Sequence, residues 1–126
     1  MPWAAIYTKA ATDAEHAAQV AACRARCARW GYPVVKEYRE ALGTTDQQFR
    51  LLLRERTRHD EGSVQWIVVV GWRVLEALWA SALRQAPHEL EICTVSDGRC
   101  RTVARLWEER QAQQEWAEAA RLQHSP

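Results

Sequence analysis

The chain has 126 residues, of which 48% are apolar and 26% are charged, a balance typical of a globular protein. This length suits one domain with a hydrophobic core and is short for two. Seventeen basic and sixteen acidic side chains leave a net charge of +1, which excludes a whole-molecule attraction to nucleic acid or to anionic membranes.

The apolar runs and the N-terminal sequence indicate a cytoplasmic protein. The longest strongly apolar run, residues 66–70, is much shorter than a membrane span. The first residues, MPWAAIYTK, lack the basic-then-apolar order of a secretory signal. In that compartment we expect all the cysteines to stay reduced, namely Cys23, Cys27, Cys93 and Cys100.

Two of the cysteines raise the question of a metal. Cys23 and Cys27 lie one helical turn apart, so they could present two thiolates to one ion. No His or Cys pair at metal-binding spacing accompanies them, and free cysteine is usually a small buried apolar residue. We interpret both as core residues, and we expect no metal and no cofactor.

The first half of the chain predicts two strands and two helices. Residues 4–8 form a short apolar strand. Asp13 is a suitable N-cap for a helix that runs to about Trp30, where Gly31 ends it. Residues 33–38 suit a second strand, with the proline at its start. A second helix follows, with Phe49, Leu52 and Leu53 on one side.

The second half of the chain also predicts two strands and two helices. A loop at residues 59–63 leads into residues 66–70, which form the most apolar strand and should lie in the middle of a parallel sheet. Apolar side chains at helical spacing predict a helix over residues 74–83. Residues 90–95 form a fourth strand, and residues 101–123 form a long, mostly polar final helix.

Strand and helix therefore alternate four times, which predicts an α/β fold with a three-layer arrangement. We expect a mainly parallel sheet of four to five strands, flanking helices and a long C-terminal helix. The chain is one domain, with residues 1–98 as the α/β core and residues 99–126 as the C-terminal helix. In such sheets, functional groups gather at the carboxyl ends of the strands. Those ends fall at residues 8–12, 38–40, 71–73 and 94–97.

Three stretches in sequence order carry a resemblance to a known family. They are IYTKAATDAEH, AACRARCARWGYPVVKEYRE and DQQFRLLLRERTRHDEGSVQWIVVV. Together they resemble the catalytic domain of the serine recombinases, the resolvase and invertase family. The first is similar to a strand followed by Arg-x-Ser-Thr and a helix. The second resembles the family's first helix, its helix-ending Gly-Tyr and its second strand. The third resembles its second helix and third strand.

The resemblance covers residues 4 to about 97 and implies a resolvase-like fold without the family's nucleophile. In that family, a serine at the end of the first strand attacks a DNA phosphate. Ala11 matches the serine, and Lys9 matches an arginine two positions before it. An alanine has no lone pair with which to attack, so covalent catalysis by this route is abolished.

The family's phosphate-binding arginines are also replaced. Asp46 falls where an arginine opens the second helix, and it would repel a phosphate. In place of Asp-Arg-Leu-x-Arg, the chain has Arg73, Val74 and Ala77 at the aspartate and the two arginine positions. Each lost donor removes roughly 3–4 kcal/mol of transition-state stabilisation. Of the family's charged positions, Glu40 keeps an acid.

These losses predict a protein that is not an enzyme of this family. We expect an assembly or regulatory module connected with DNA recombination, either as a homodimer or bound to a recombinase or another DNA-processing protein. No helix-turn-helix or zinc module follows the final helix, so direct DNA binding should be weak or absent.

Two other functions stay open from the sequence. The first is an enzyme of another class that uses the strand-end pocket through Lys9, Thr12, Glu40 and Arg73. The second is a weak nonspecific DNA binder that uses clustered arginines. These are Arg24, Arg26 and Arg29 in one cluster, and Arg54, Arg56 and Arg58 in the other.

A small anion site is a further hypothesis at the first strand end. Thr8, Lys9 and Thr12 surround the start of a helix, where free N–H groups and the helix dipole favour an anion. The alternative is ordinary capping of that helix by Thr12 or Asp13.

The final helix is the predicted interface, because in the resembled family the corresponding helix forms the dimer. Its candidate residues are Val103, Leu106, Trp107 and Trp116. The two tryptophans lie nine residues apart and cannot both face one narrow stripe, so at least one should be exposed or buried by a partner. The alternative is a solvated helix docked only by its first two turns.

Overall fold

A computed structural model describes residues 2–58 and 62–123. Within them lie three α-helices and five strands. In chain order these are β1 (Trp3–Ala10), α1 (Asp13–Trp30), β2 (Val34–Ala41), α2 (Gln47–Glu55), β3 (Val64–Val69), β4 (Glu91–Thr94), β5 (Arg99–Thr102) and α3 (Val103–Gln123).

The strands form one sheet in the order β2-β1-β3-β4-β5, which confirms the predicted α/β fold. The first four strands are mutually parallel, and β5 is antiparallel to β4. The predicted loop at residues 59–63 lies partly outside the described residues, since these exclude residues 59–61. Within the described ranges, no helix has both the length and the apolarity needed to cross a membrane.

Helices cover both faces of the sheet, because side chains alternate between the faces along each strand. On one face, α1 packs through Val20, Cys23 and Cys27 against Ile6 of β1 and Val68 of β3. On the other face, α2, residues 72–85 and the start of α3 pack against the sheet. The central strands are buried on both sides, which accounts for the apolar run that marked β3 in the sequence.

The ends of α1 follow from its sequence, with the cap shifted by one residue from the prediction. Thr12, rather than Asp13, is the N-cap, and its hydroxyl accepts a hydrogen bond of 3.2 Å from the backbone N–H of Glu15. Gly31 ends the helix with φ of 74°, a left-handed conformation that favours glycine.

The helix predicted over residues 74–83 is wrong. Three short 3₁₀ segments take its place, at Trp72–Val74, Glu76–Leu78 and Ala82–Gln85. The apolar side chains Leu75, Leu78, Ala82 and Leu83 are all buried, so the pattern marked a core-facing segment correctly. Their spacing of three to four residues does not distinguish short 3₁₀ turns from one α-helix.

The β4–β5 hairpin corrects two further expectations. Residues 99–102 form a fifth strand within the core sheet, so the C-terminal helix begins at Val103 rather than at residue 99. Cys93 and Cys100 form a disulfide, although all the cysteines were expected to be reduced. The two residues lie directly opposite one another in the antiparallel register, which brings their side chains together. Cys23 and Cys27 are free and buried.

Candidate functional site

The carboxyl ends of the parallel strands surround a cavity of about 650 Å³. Lys9 of β1 lines it, together with Arg73, Val74 and Ala77 from the segment after β3. The structure therefore brings together four of the positions at which the sequence departs from the recombinase pattern. We refer to this cavity as the strand-end cavity.

The strand-end cavity is lined by charged, amide and apolar side chains. Lys9 and Arg73 bring two cations, and Glu76 brings one carboxylate. The remaining described lining residues are Gln19 and apolar side chains, so none of the described lining residues carries a hydroxyl, thiol or imidazole. The ammonium group of Lys9 donates to the carbonyl oxygen of Thr45 over 3.4 Å. Such a cavity can attract an anion. None of its described lining residues carries the serine hydroxyl that the recombinases use for attack.

The start of α1 does not present the predicted anion site. The Thr8 hydroxyl is buried, and its Oγ1 lies 2.7 Å from Nδ1 of His16. Thr12 uses its hydroxyl to cap the helix, as the capping alternative predicted. The Glu15 carboxylate accepts a hydrogen bond of 3.2 Å from the N–H of Ala11, which places a negative charge where an incoming anion would bind.

Glu40 is a buried residue of β2 that is hydrogen-bonded to the start of α2. Its buried carboxylate accepts hydrogen bonds from Tyr7 Oη over 3.1 Å and from the backbone N–H of Gln48 over 2.8 Å. The Thr44 hydroxyl is a third donor. Gln48 lies in the first turn of α2, whose N-cap, Asp46, makes no side-chain capping bond. Glu40 therefore satisfies the start of α2 from the neighbouring strand.

Asp46 and Tyr7 complete the polar surroundings of Glu40. Asp46 forms an ion pair of 2.9 Å with Arg50, four residues along α2. Burial, followed by the nearby charge of Glu40, holds the pKa of Tyr7 well above its usual value. The phenol thus stays protonated and keeps donating its hydrogen bond to Glu40.

The free thiols are also unsuited to chemistry. Burial raises the pKa of Cys23 to about 12 and raises that of Cys27 as well. Both thiols therefore stay protonated near neutral pH, and only the thiolate is a good nucleophile or metal ligand. Among the described residues, no group of three or more His, Cys, Asp or Glu side chains is placed to hold a metal ion.

The helix α3 divides into a docked part and an exposed part. Val103 and Leu106 are buried in the protein's own core, so these two predicted interface residues are not open to a partner. Trp107 packs edge-on against Trp79, with their ring centroids 4.8 Å apart. From residue 111 to residue 119, every residue is exposed.

The exposed part, residues 111–123, is named the distal helix. Trp116 is 76% exposed and Leu122 is 72% exposed, which confirms that at least one of the helix tryptophans is uncovered in the single chain. Leu122 was missed in the sequence because the Ala-rich, Gln-rich surroundings give no clear apolar stripe. The spacing of three residues from Trp116 through Ala119 to Leu122 is the signal that identifies it.

No family model, curated protein or solved structure matches this chain. The recombinase resemblance therefore stays a prediction made from the sequence.

Proposed function

We propose that this chain is a catalytically inactive serine-recombinase-like domain that serves as an assembly or regulatory module connected with DNA recombination. The single observation that supports the assembly role is the distal helix. It carries Trp116 and Leu122, two of the three large apolar side chains that are exposed in the described part of the chain. The third is Leu42, in the turn after β2.

The distal helix has the character of a helix-pairing surface. Ala112, Trp116, Ala119 and Ala120 lie on one face at helical spacing, so small side chains flank the tryptophan and allow a second helix to approach closely. Burying a tryptophan removes roughly 150–250 Å² from water. At about 25 cal/mol per Å², this gains on the order of 4 kcal/mol. An exposed helix face lacks such stabilisation until a partner covers it.

A second copy of this chain is the partner we propose first. Two copies that meet through the same face form a closed, two-fold pair in which each tryptophan is covered once. A recombinase or another DNA-processing protein is the alternative partner, and it would cover the same face. In either case the chain contributes contact surface rather than a reacting group.

Mass measured against concentration tests this proposal. Sedimentation equilibrium of the wild type should show a monomer–dimer transition, and Trp116→Ser should remain monomeric. Leu42→Ser is the control, since it also replaces an exposed large apolar side chain with serine but lies in the turn after β2 rather than on α3. Dimerisation that survives in Trp116→Ser, or that Leu42→Ser abolishes equally, would contradict the proposed interface.

The absence of recombinase chemistry has its own test. Purified wild-type protein is incubated with supercoiled DNA and denatured, and covalent protein–DNA adducts are sought. We expect none. The variant Ala11→Ser restores a hydroxyl at the matching position, and we expect no adduct from it either, because Asp46, Val74 and Ala77 still stand in place of the arginines. An adduct from the wild type would overturn the proposal.

The cytoplasmic location and the weakness of DNA binding belong to the same proposal. Disulfides are uncommon in the cytoplasm, so the redox state of Cys93 and Cys100 in cells is the measurement that bears on the location. Nonspecific duplex should show little salt-dependent retardation in a gel. A strong, salt-sensitive shift would favour the DNA-binder alternative.

A further inference from the structure

A second cavity, of about 550 Å³, lies along α3. Two indoles line it, Trp72 and Trp79, together with the guanidinium groups of Arg99, Arg101 and Arg110. Neither the recombinase resemblance nor the assembly proposal assigns it a role. Its volume is within the range of about 300–1,000 Å³ that small-ligand sites occupy. We call it the α3 cavity.

Each indole of the α3 cavity is paired with an arginine. The Cζ atom of Arg101 lies 4.8 Å from the ring centroid of Trp72, and that of Arg110 lies 4.7 Å from the ring centroid of Trp79. Guanidinium groups stack on aromatic faces and are weakly hydrated, so they remain able to bind a planar or anionic group.

Arg101 is buried to a degree that is unusual for arginine. Its side chain is only 7% exposed. Nη2 donates to Asp97 over 3.2 Å, and Nε lies 3.1 Å from a carboxylate oxygen of Glu109. Nη1 has no hydrogen-bond partner among the described residues. An unsatisfied buried donor costs on the order of 1–3 kcal/mol, and an acceptor brought in from the cavity would lower that cost.

The charges of the lining favour an anion by a small margin. Three arginines against two glutamates, Glu76 and Glu109, leave a formal charge of +1. Glu109 is already engaged, since Arg99, Arg101 and Arg105 lie 3.8, 3.1 and 3.4 Å from its carboxylate. Arg110 forms no ion pair within residues 2–58 and 62–123. Its guanidinium is therefore the cation best placed to receive a ligand's anionic group.

We propose that the α3 cavity binds a nucleotide, with the base against the partly exposed indole of Trp72 and the phosphate at Arg110 and Arg99. Trp79 is 8% exposed and forms part of the cavity floor. Stacking of a base on an aromatic side chain contributes about 1–3 kcal/mol for any of the bases, because every base has a π-face. Arginine matches a phosphate with two parallel hydrogen bonds. The ligand is either a free mononucleotide or the terminal nucleotide of a single strand. The two share this chemistry.

Calorimetric titration tests the proposal with three probes. These are deoxyadenosine monophosphate, a 5′-phosphorylated single strand of about ten nucleotides, and inorganic phosphate. We expect at least one nucleotide probe to bind with a Kd below about 1 mM, and inorganic phosphate to bind at least about tenfold more weakly because it lacks the base. Tighter binding of the strand identifies a strand end as the ligand, and comparable or tighter binding of the monophosphate identifies a free nucleotide.

Variants separate a built site from general surface charge. Arg110→Gln should weaken nucleotide binding by about tenfold or more, because it removes a charge-assisted hydrogen bond. Arg29→Gln is the matched control, since Arg29 is an exposed arginine on α1, across the sheet. It should leave the Kd unchanged.

The outcomes that overturn the nucleotide site are distinct from those that bear on assembly. No binding by either nucleotide probe overturns it, as does equal weakening by Arg110→Gln and Arg29→Gln, or phosphate binding as tight as nucleotide binding. The titrations are repeated with Trp116→Ser, whose replacement lies on the distal helix. Because the site lies within one chain, nucleotide should bind this variant whether or not the wild type dimerises.

Discussion

Trp107 and Trp116 lie nine residues apart on the same helix, and their surroundings are opposite. Trp107 is half-buried and contacts Trp79 edge-on, next to the buried Leu106. Trp116 is 76% exposed. The docked first part of α3 completes the core above the sheet, whereas the distal helix adds nothing to that core. The first part of the helix therefore serves the fold, and the second part is available for a partner.

The largest expected change in the free energy of unfolding comes from a substitution in the docked part of α3. Leu106→Ala should lower the free energy of unfolding by about 2–5 kcal/mol, because it opens a cavity in a packed core. Leu122→Ala is the matched control on the distal helix and should change it by no more than about 0.5 kcal/mol in dilute protein. Urea denaturation measures both. Equal losses would mean that the distal helix is part of the folded core.

The next largest change in the free energy of unfolding is expected in the β4–β5 hairpin, which α3 directly follows. The disulfide between Cys93 and Cys100 closes a short loop, and Cys100→Ser should lower the free energy of unfolding by about 2–3 kcal/mol without reductant. With a strong reductant, the difference between wild type and variant should largely disappear. A thiol count on unfolded, unreduced wild-type protein should give two free thiols. Four free thiols would show that the bond does not form in solution.

A smaller effect is expected at Asp97, in the turn of the same hairpin. Burial alone would raise the pKa of this carboxyl, but hydrogen bonds from Thr94, the N–H of Arg99 and Arg101 hold it below its usual value. Asp97→Asn should cost about 1 kcal/mol near neutral pH.

The pH dependence of that difference has a definite sign. A carboxyl whose pKa is lowered on folding stabilises the folded state above its unfolded pKa of about 3.9. That contribution is lost as the pH falls through the lower, folded value. The stability gap between wild type and Asp97→Asn should therefore be constant above about pH 5 and narrow in more acidic solution. A gap that widens on acidification would contradict the assigned hydrogen bonds.

These effects also show what the sequence was able to predict. Strand β3 was identified because a buried parallel strand is apolar on both faces, and Gly31 marked the end of α1 because only glycine readily adopts its left-handed conformation. The disulfide was not predicted, because pairing of Cys93 with Cys100 requires the antiparallel register of β5. The Asp97-Gly98 turn was the available signal for that register.

The strand-end cavity was partly predictable from the sequence, whereas the role of Glu40 and the α3 cavity were not. The meeting of Lys9 and Arg73 at one cavity followed from the rule that strand ends meet at one edge of a parallel sheet. Val74 and Ala77 were singled out only by the recombinase resemblance. The structural role of Glu40 could not be predicted from the sequence, because the backbone N–H of Gln48 that it accepts from lies on a separate element, α2. The α3 cavity was also missed, since residues from the 3₁₀ segments, β5 and α3 meet only in three dimensions.

The smallest expected effect on stability is that of Trp116→Ser. The side chain contributes little to the fold of a single chain, so the unfolding free energy of dilute protein should stay within about 0.5 kcal/mol of the wild type. Thermal melts at low protein concentration check this. A loss of several kcal/mol would place Trp116 in the folding core instead of on a contact surface.

Amide hydrogen exchange at two protein concentrations tests the central claim most directly. Backbone amides in residues 103–110 should be protected at both concentrations, since this part of α3 is docked on the core. Amides in residues 111–123 should exchange rapidly in dilute protein and become protected at a concentration about 100-fold higher, as the distal helix pairs. Exchange in residues 111–123 that is the same at both concentrations would contradict self-assembly through the distal helix.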